Sequence, residues 1–253
     1  MKRISDRGRL ETYMEERIKK YWTKRAHDLG CIRKNELEND MGGRWLREIE
    51  SYLPEGKPLD ILDIGTGSGF FAVLLSGKGH HVQGIDLTPA MLKEAAALAQ
   101  ERRVDVAFRQ MDAQDLSYED ESFDVVVSRN LTWTLPKPEK AYREWFRVLK
   151  KGGILLNFDA NYGEHVRSES TQNNRAAADS PYGHTGMTDE MEEENRLITL
   201  AMEISRKMRP CWDRELLLAI GFQSCKTDKD TGRRVLGGFD LRTAPMFGIC
   251  AVK

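Results

Sequence analysis

The sequence has no dominant charge. Across 253 residues, 39 lysines and arginines stand against 40 aspartates and glutamates, so there is no net field to hold a polyanion by releasing its counterions. Nucleic acid is therefore not an expected partner. Cysteine is also scarce. The four, Cys31, Cys211, Cys225 and Cys250, include no C-x-x-C pair and no histidine at zinc spacing, which excludes a disulfide framework and predicts no metal site. They read as packing residues of a protein in a reducing cytoplasm. Long apolar runs are missing too. Nothing approaches the roughly 20 apolar residues that a membrane-spanning helix needs. The N-terminal MKRISDRGRLETYMEERIKKYW carries charge throughout, so neither a signal peptide nor a membrane anchor is expected.

The length suits one sizeable domain with a decorated end. The first 55 residues read as a helical cap, because Met14, Ile18, Tyr21 and Trp22 recur at helical spacing and Trp45, Leu46, Ile49 and Leu53 do so again, with Gly42-Gly43 and Pro54 as punctuation. From Leu59 onward, short apolar runs alternate with amphipathic stretches: LDILDIG, HVQGIDL, VDVAFRQMD, FDVVVS and ILLNFD. That alternation predicts βαβ units and a parallel sheet. Thr88-Pro89 and Pro138 open helices, and Gly152-Gly153 is expected to stop the second of these. After Asp159 a polar stretch rich in Asn, Ser and Gly reads as a loop or lid. A helix is predicted from Thr188 to Met208, acidic at its start and basic at its end, with Glu192 to Glu194 on a solvated face. Another runs from Asp213 to about Ile220. FQSCKTD and APMFGICAV then close the sheet as two strands, antiparallel at its edge. The expected fold is thus α/β: a doubly wound, mostly parallel, seven-stranded Rossmann-like sheet on residues 56–253, with a lid insertion at about 160–210.

The chemistry is concentrated in Leu62-Asp63-Ile64-Gly65-Thr66-Gly67-Ser68-Gly69-Phe70, a strand followed at once by a glycine turn and a helix. Such a turn lets backbone approach a ligand closely. The dinucleotide fingerprint is G-x-G-x-x-G with a pyrophosphate at the helix N-terminus. Here the spacing is G-x-G-x-G, and Asp63 two residues earlier would repel a pyrophosphate but accept an ammonium group. Asp86 follows about 20 residues later, where a carboxylate accepts from ribose hydroxyls. Asp112-Ala113 follows the third strand, where a carboxylate can accept from an adenine amino group. All three aspartates fall at the carboxyl edge of the sheet, where open α/β sheets bind ligands.

With these motifs in view, the chain resembles the class I S-adenosylmethionine-dependent methyltransferases, in the branch of the ubiquinone and menaquinone biosynthesis type. The resemblance rests on LDIGTGSGF, VQGIDLTPAML, MDAQDL, FDVVVSRNLTWTL and RVLKKGGILL, and spans about Leu59 to Phe158. It implies that Asp63, Gly65, Thr66 and Gly67 cradle the methionine moiety of S-adenosylmethionine, Asp86 and Leu87 the ribose, and Asp112 and Ala113 the adenine. Arg129 and Asn130 would close over the sulfonium, and Tyr21 or Arg25 would reach the methionine carboxylate. Methyl transfer needs no covalent intermediate; a base is needed only if the acceptor must lose a proton, and His165, His184 and His27 are the candidates. Trp133 stands where many relatives carry histidine and offers an aromatic wall to the acceptor or the sulfonium. Trp145 and Trp212 read as packing residues. A small-molecule acceptor is expected, with S-adenosylhomocysteine as product. The alternatives are an RNA or protein methyltransferase, a nicotinamide-dependent oxidoreductase, and a non-catalytic S-adenosylmethionine-binding module.

Overall fold

A computed structural model describes residues 6–167, 186–237 and 246–253. Two helices lead the chain, α1 (Asp6–Glu38) and α2 (Asp40–Glu50). The alternating core follows as β1 (Asp60–Ile64), α3 (Phe70–Ser76), β2 (His81–Asp86), α4 (Pro89–Arg102), β3 (Val106–Gln110), β4 (Phe123–Arg129), α5 (Pro138–Val148) and β5 (Leu149–Ala160). The remainder comprises α6 (Tyr162–Arg167), α7 (Asp189–Ala201), a 3-10 turn at Glu203–Arg206, α8 (Cys211–Ile220), β6 (Ser224–Asp228), α9 (Thr231–Leu236) and β7 (Met246–Val252).

The strands form one seven-stranded sheet in the order β3-β2-β1-β4-β5-β7-β6. The first five are parallel, and β7 runs antiparallel between β5 and β6. Central β1 has a run of buried residues, Ile61 to Ile64, because helices cover both its faces. One face packs around Trp145 and Tyr142, the other around Trp45, Phe71 and Phe158, whose rings meet edge-on. Strand order reverses between β1 and β4, and a crevice opens there beyond the strand ends. Among the described residues, no helix is long and apolar enough to cross a membrane.

Four sequence expectations are corrected. Gly42-Gly43 lies inside α2 and does not interrupt it. The break falls at Asn39, whose side chain caps α2 by accepting from the Met41 N–H at 2.8 Å, and a Cβ on Gly42 would come within 3.3 Å of the Glu36 carbonyl oxygen. That glycine serves close packing of α2 on the end of α1. Gly152-Gly153 does not stop α5 either. Leu149 already pairs with Phe123, and the glycines lie within β5, where the register shifts and Gly152 takes φ +73°. Helix α7 begins where expected, with Thr188 as its cap, but ends at Ala201, because Met202 is extended and buried along with Ile204. Arg206, Lys207 and Arg209 therefore lie beyond it. Finally, Glu194 is not merely solvated: it accepts from Arg17 Nε and Nη2 at 2.5 and 2.7 Å and so joins α7 to α1. The expected lid stretch begins as helix α6; residues 168–185 lie outside the described residues.

Candidate active site

The crevice is a cavity of about 240 Å³ beyond the carboxyl ends of the central strands, roofed by α1. Its floor is the glycine turn. Gly65, Gly67 and Gly69 have φ of +66°, +54° and +86°, conformations that side chains resist. Space adds a second constraint, since a Cβ on Gly65 would lie 2.7 Å from Leu131 Cδ1.

Two carboxylates brace this turn from below. Asp63 Oδ2 accepts from the Thr66 hydroxyl at 2.6 Å and from the Ala72 N–H at 3.0 Å. Burial pushes its pKa up to about 7, despite those two donors. Asp86 Oδ2 accepts from the Gly67 N–H at 3.0 Å and Oδ1 from the Thr88 N–H at 2.8 Å, and burial raises this carboxyl as well. At the third strand end, Asp112 Oδ1 accepts from the Gln114 N–H at 2.9 Å and from its amide at 3.1 Å. The Ala113 carbonyl accepts from Trp145 Nε1 at 2.9 Å, and the Leu87 carbonyl from the Gln110 amide at 3.2 Å.

After β4 the chain turns sharply. Asn130 is left-handed at φ +54°, its N–H donates to the Phe158 carbonyl at 2.8 Å, and its own carbonyl accepts from Trp133 Nε1 at 3.0 Å. Its side-chain Oδ1 is buried with no hydrogen-bond partner among the described residues, an acceptor left for a ligand donor. Arg129 donates to Glu36 at 2.8 and 3.2 Å, with its guanidinium over the rings of Trp45 and Phe70. On the opposite wall, Tyr21, Arg25, Leu29 and Arg33 succeed one another along one face of α1. Arg25 donates to Asp28 at 3.5 Å, and burial pushes the Tyr21 phenol up to about 12.

Every residue that the sequence suggested for the cofactor borders this one cavity, as does Trp133. The candidate bases fare differently. His27 does not border it; its side chain is 80% exposed and pairs with Glu94 at 3.6 Å. His184 lies outside the described residues, as does the side chain of His165 in α6. Trp145 is a core residue, fully buried.

Several cavity residues escaped the sequence reading. Trp133 stands between Trp22 and Tyr162, with ring centroids at 6.3 and 4.9 Å, so three rings wall the end of the cavity next to Ile18 and Met187. Arg33 donates to Glu36 at 2.5 Å, and burial together with neighbouring Arg129 pushes the Arg33 pKa down to about 10. A signal existed for Leu29 and Arg33, which stand four and eight residues after Arg25 and so share its helix face. None existed for Tyr162, in a stretch that reads as loop.

Comparison with known proteins follows the same boundaries. Residues 62–157 match the family model described as methyltransferase domain. The chain is 33% identical over 134 residues to the ubiquinone biosynthesis O-methyltransferase of Alkalilimnicola ehrlichii, a match covering 53% of this chain and 49% of that protein. It is 36% identical over 115 residues to the demethylmenaquinone methyltransferase of Thermus thermophilus, covering 45% and 52%. The chain thus spans about half the length of these curated relatives. A solved S-adenosylmethionine dependent methyltransferase from Mesorhizobium loti shares the fold at TM-score 0.59 and 18% identity, over 86% of this chain and 100% of that one.

Proposed function

Because residues 62–157 carry a methyltransferase domain of the class I, S-adenosylmethionine-dependent type, we propose that the protein transfers the methyl group of S-adenosylmethionine to a small-molecule acceptor. One observation carries this reading: three aspartates at three strand ends surround a glycine turn in a single cavity. The residues suit the ligand. Asp63 is an ionisable carboxylate beside the turn, Asn130 Oδ1 is a buried acceptor with no partner among the described residues, and Gly65 holds a left-handed conformation against the Leu131 side chain. Bound there, S-adenosylmethionine supplies an electrophilic methyl on a cationic sulfur. Asp63 would hold the ammonium, Asp86 the ribose hydroxyls, Asp112 the adenine amine, and Tyr21 and Arg25 the carboxylate. The chain's part in the reaction is to orient both partners and exclude water.

The far end of the cavity suggests the acceptor. Trp22, Trp133 and Tyr162, with Ile18 and Met187, favour a flat apolar ring. Two relatives, a ubiquinone biosynthesis O-methyltransferase and a demethylmenaquinone methyltransferase, point the same way. The near-balance of charge argues against a polyanionic acceptor. The four unpaired thiols suit a cytoplasmic setting.

Parallel calorimetric titrations with S-adenosylmethionine, S-adenosylhomocysteine and NAD test the reading. Roughly micromolar binding of the first two without NAD is expected; the reverse pattern rejects it. A second expectation concerns pH. The carboxyl of Asp63 titrates near 7, above its ordinary value, so the free folded protein increasingly holds this proton as pH falls. An ammonium partner needs the carboxylate. Affinity for S-adenosylmethionine should therefore fall by about eightfold between about pH 7.5 and about pH 6, with proton release visible in buffers of different ionisation enthalpy. A flat profile would remove Asp63 from the ammonium.

A further inference from the structure

Behind the ring wall lies a buried polar cluster that borders no part of the cavity. At its centre is Arg209, in the segment between the 3-10 turn and α8, 7% exposed. Its Nη1 donates to Asp159 Oδ2 at 2.9 Å, its Nη2 to the Thr132 hydroxyl at 2.7 Å and Asp213 Oδ1 at 2.9 Å, and its Nε to Asp213 Oδ2 at 3.0 Å. Asp159, at the end of β5, uses that same Oδ2 to accept from the Thr132 hydroxyl and from the Trp133 backbone N–H at 3.1 Å. Asp213 also accepts from the Tyr142 hydroxyl at 2.7 Å, which anchors the cluster to α5. The guanidinium stands 5.0 Å from the centre of the Phe247 ring of β7.

A buried guanidinium between two buried carboxylates is an expensive way to gain stability, since apolar side chains of similar volume often serve as well. Its distinctive property is direction. The guanidinium is tied to Asp159, Thr132 and Asp213 at once, and the chain of bonds ends on the peptide of Trp133. On the neighbouring side, Gly163 of α6 packs so closely on Ser205 that a Cβ would overlap the Ser205 carbonyl. The 3-10 turn that precedes Arg209 thus also braces the helix that presents Tyr162.

We infer that Arg209 is a positioning residue: through Asp159 and Thr132 it fixes the backbone of Trp133, and with it the ring wall at the acceptor end of the cavity. The inference rests on the proposed function only in naming that end the acceptor's. The placement of Trp133 by Arg209 stands independently.

The test uses the full chain labelled with 5-fluorotryptophan, whose fluorine spectrum reports each of the five tryptophans. Trp133→Phe assigns one resonance and Trp45→Phe a second. In Arg209→Met the Trp133 resonance is expected to shift or split. That of Trp45, packed against Phe71 on the other face of the sheet, is expected to hold its position. Affinity for S-adenosylhomocysteine, by calorimetry, should stay within about threefold of the parent. An unmoved Trp133 resonance in the folded variant overturns the inference, and so does displacement of all the resonances together, which marks general loosening. If Arg209→Met does not fold, Thr132→Val, which removes only the hydroxyl shared by Arg209 and Asp159, is read in the same way. Failure of the parent to bind S-adenosylhomocysteine would count against the proposed function and leave the Trp133 result intact.

Discussion

Asp86→Ala is expected to weaken S-adenosylhomocysteine binding about 10- to 150-fold while the sheet remains folded. Two losses combine. The carboxylate is the proposed acceptor for the ribose hydroxyls, and a hydrogen bond to a charged group contributes about 1.5–3 kcal/mol, which is that range of affinity. The same carboxylate also holds the glycine turn, accepting from Gly67 and Thr88. Without it the Gly67 N–H loses its partner, and the turn must be ordered by the ligand at the ligand's expense. Strand β2, by contrast, keeps its ladders to β1 and β3 through backbone bonds that the substitution leaves alone. Calorimetry gives the affinity and circular dichroism the fold. Binding within about threefold of the parent would mean that Asp86 only braces the turn and that the ribose lies elsewhere.

That dual duty shows what the sequence makes legible. The glycine turn and its aspartates are local signals, because strand, turn and helix follow one another without interruption and each residue type has one physical reason to be there. Periodicity placed all seven strands for the same reason, including the antiparallel β7. Glycine pairs were harder. Gly42-Gly43 and Gly152-Gly153 look like breaks, yet the first permits a close helix contact and the second a shift of register inside a strand. Whether a glycine ends an element or lets something approach depends on neighbours that are distant in sequence. Charged side chains were hardest. Arg209 reaches Thr132 across 77 residues and Arg129 reaches Glu36 across 93. No local pattern distinguishes these groups from exposed charges elsewhere in the chain, such as Glu193 and Arg196 of α7, which pair with each other in solvent.

Glu36 offers the larger effect on stability. Its side chain is 2% exposed, and it accepts from Arg33 at 2.5 Å and from Arg129 at 2.8 and 3.2 Å. Burial alone would raise its pKa, but Arg129 and then Arg33 outweigh burial and hold the carboxyl below its ordinary value. One carboxylate thus compensates two guanidinium groups that also border the cavity. In Glu36→Gln the volume is kept and the charge removed, which leaves both cations in a poorly hydrated wall, Arg129 between Trp45 and Phe70. Uncompensated charge of this kind costs about 3–5 kcal/mol, and urea unfolding of parent and variant at neutral pH should show a difference of that order. The pH dependence has a fixed sign. A carboxyl depressed in the folded state contributes stability in full above its unfolded value of about 4.3 and loses it as pH falls through the lower folded value. The gap between parent and variant should therefore narrow below about pH 4. Affinity for S-adenosylhomocysteine should fall with stability, since Arg33 and Arg129 lose the group that orients them. A gap under about 1 kcal/mol at neutral pH would mean that water or a shift of α1 reaches the two arginines once the charge is gone, and that the cavity wall does not depend on Glu36.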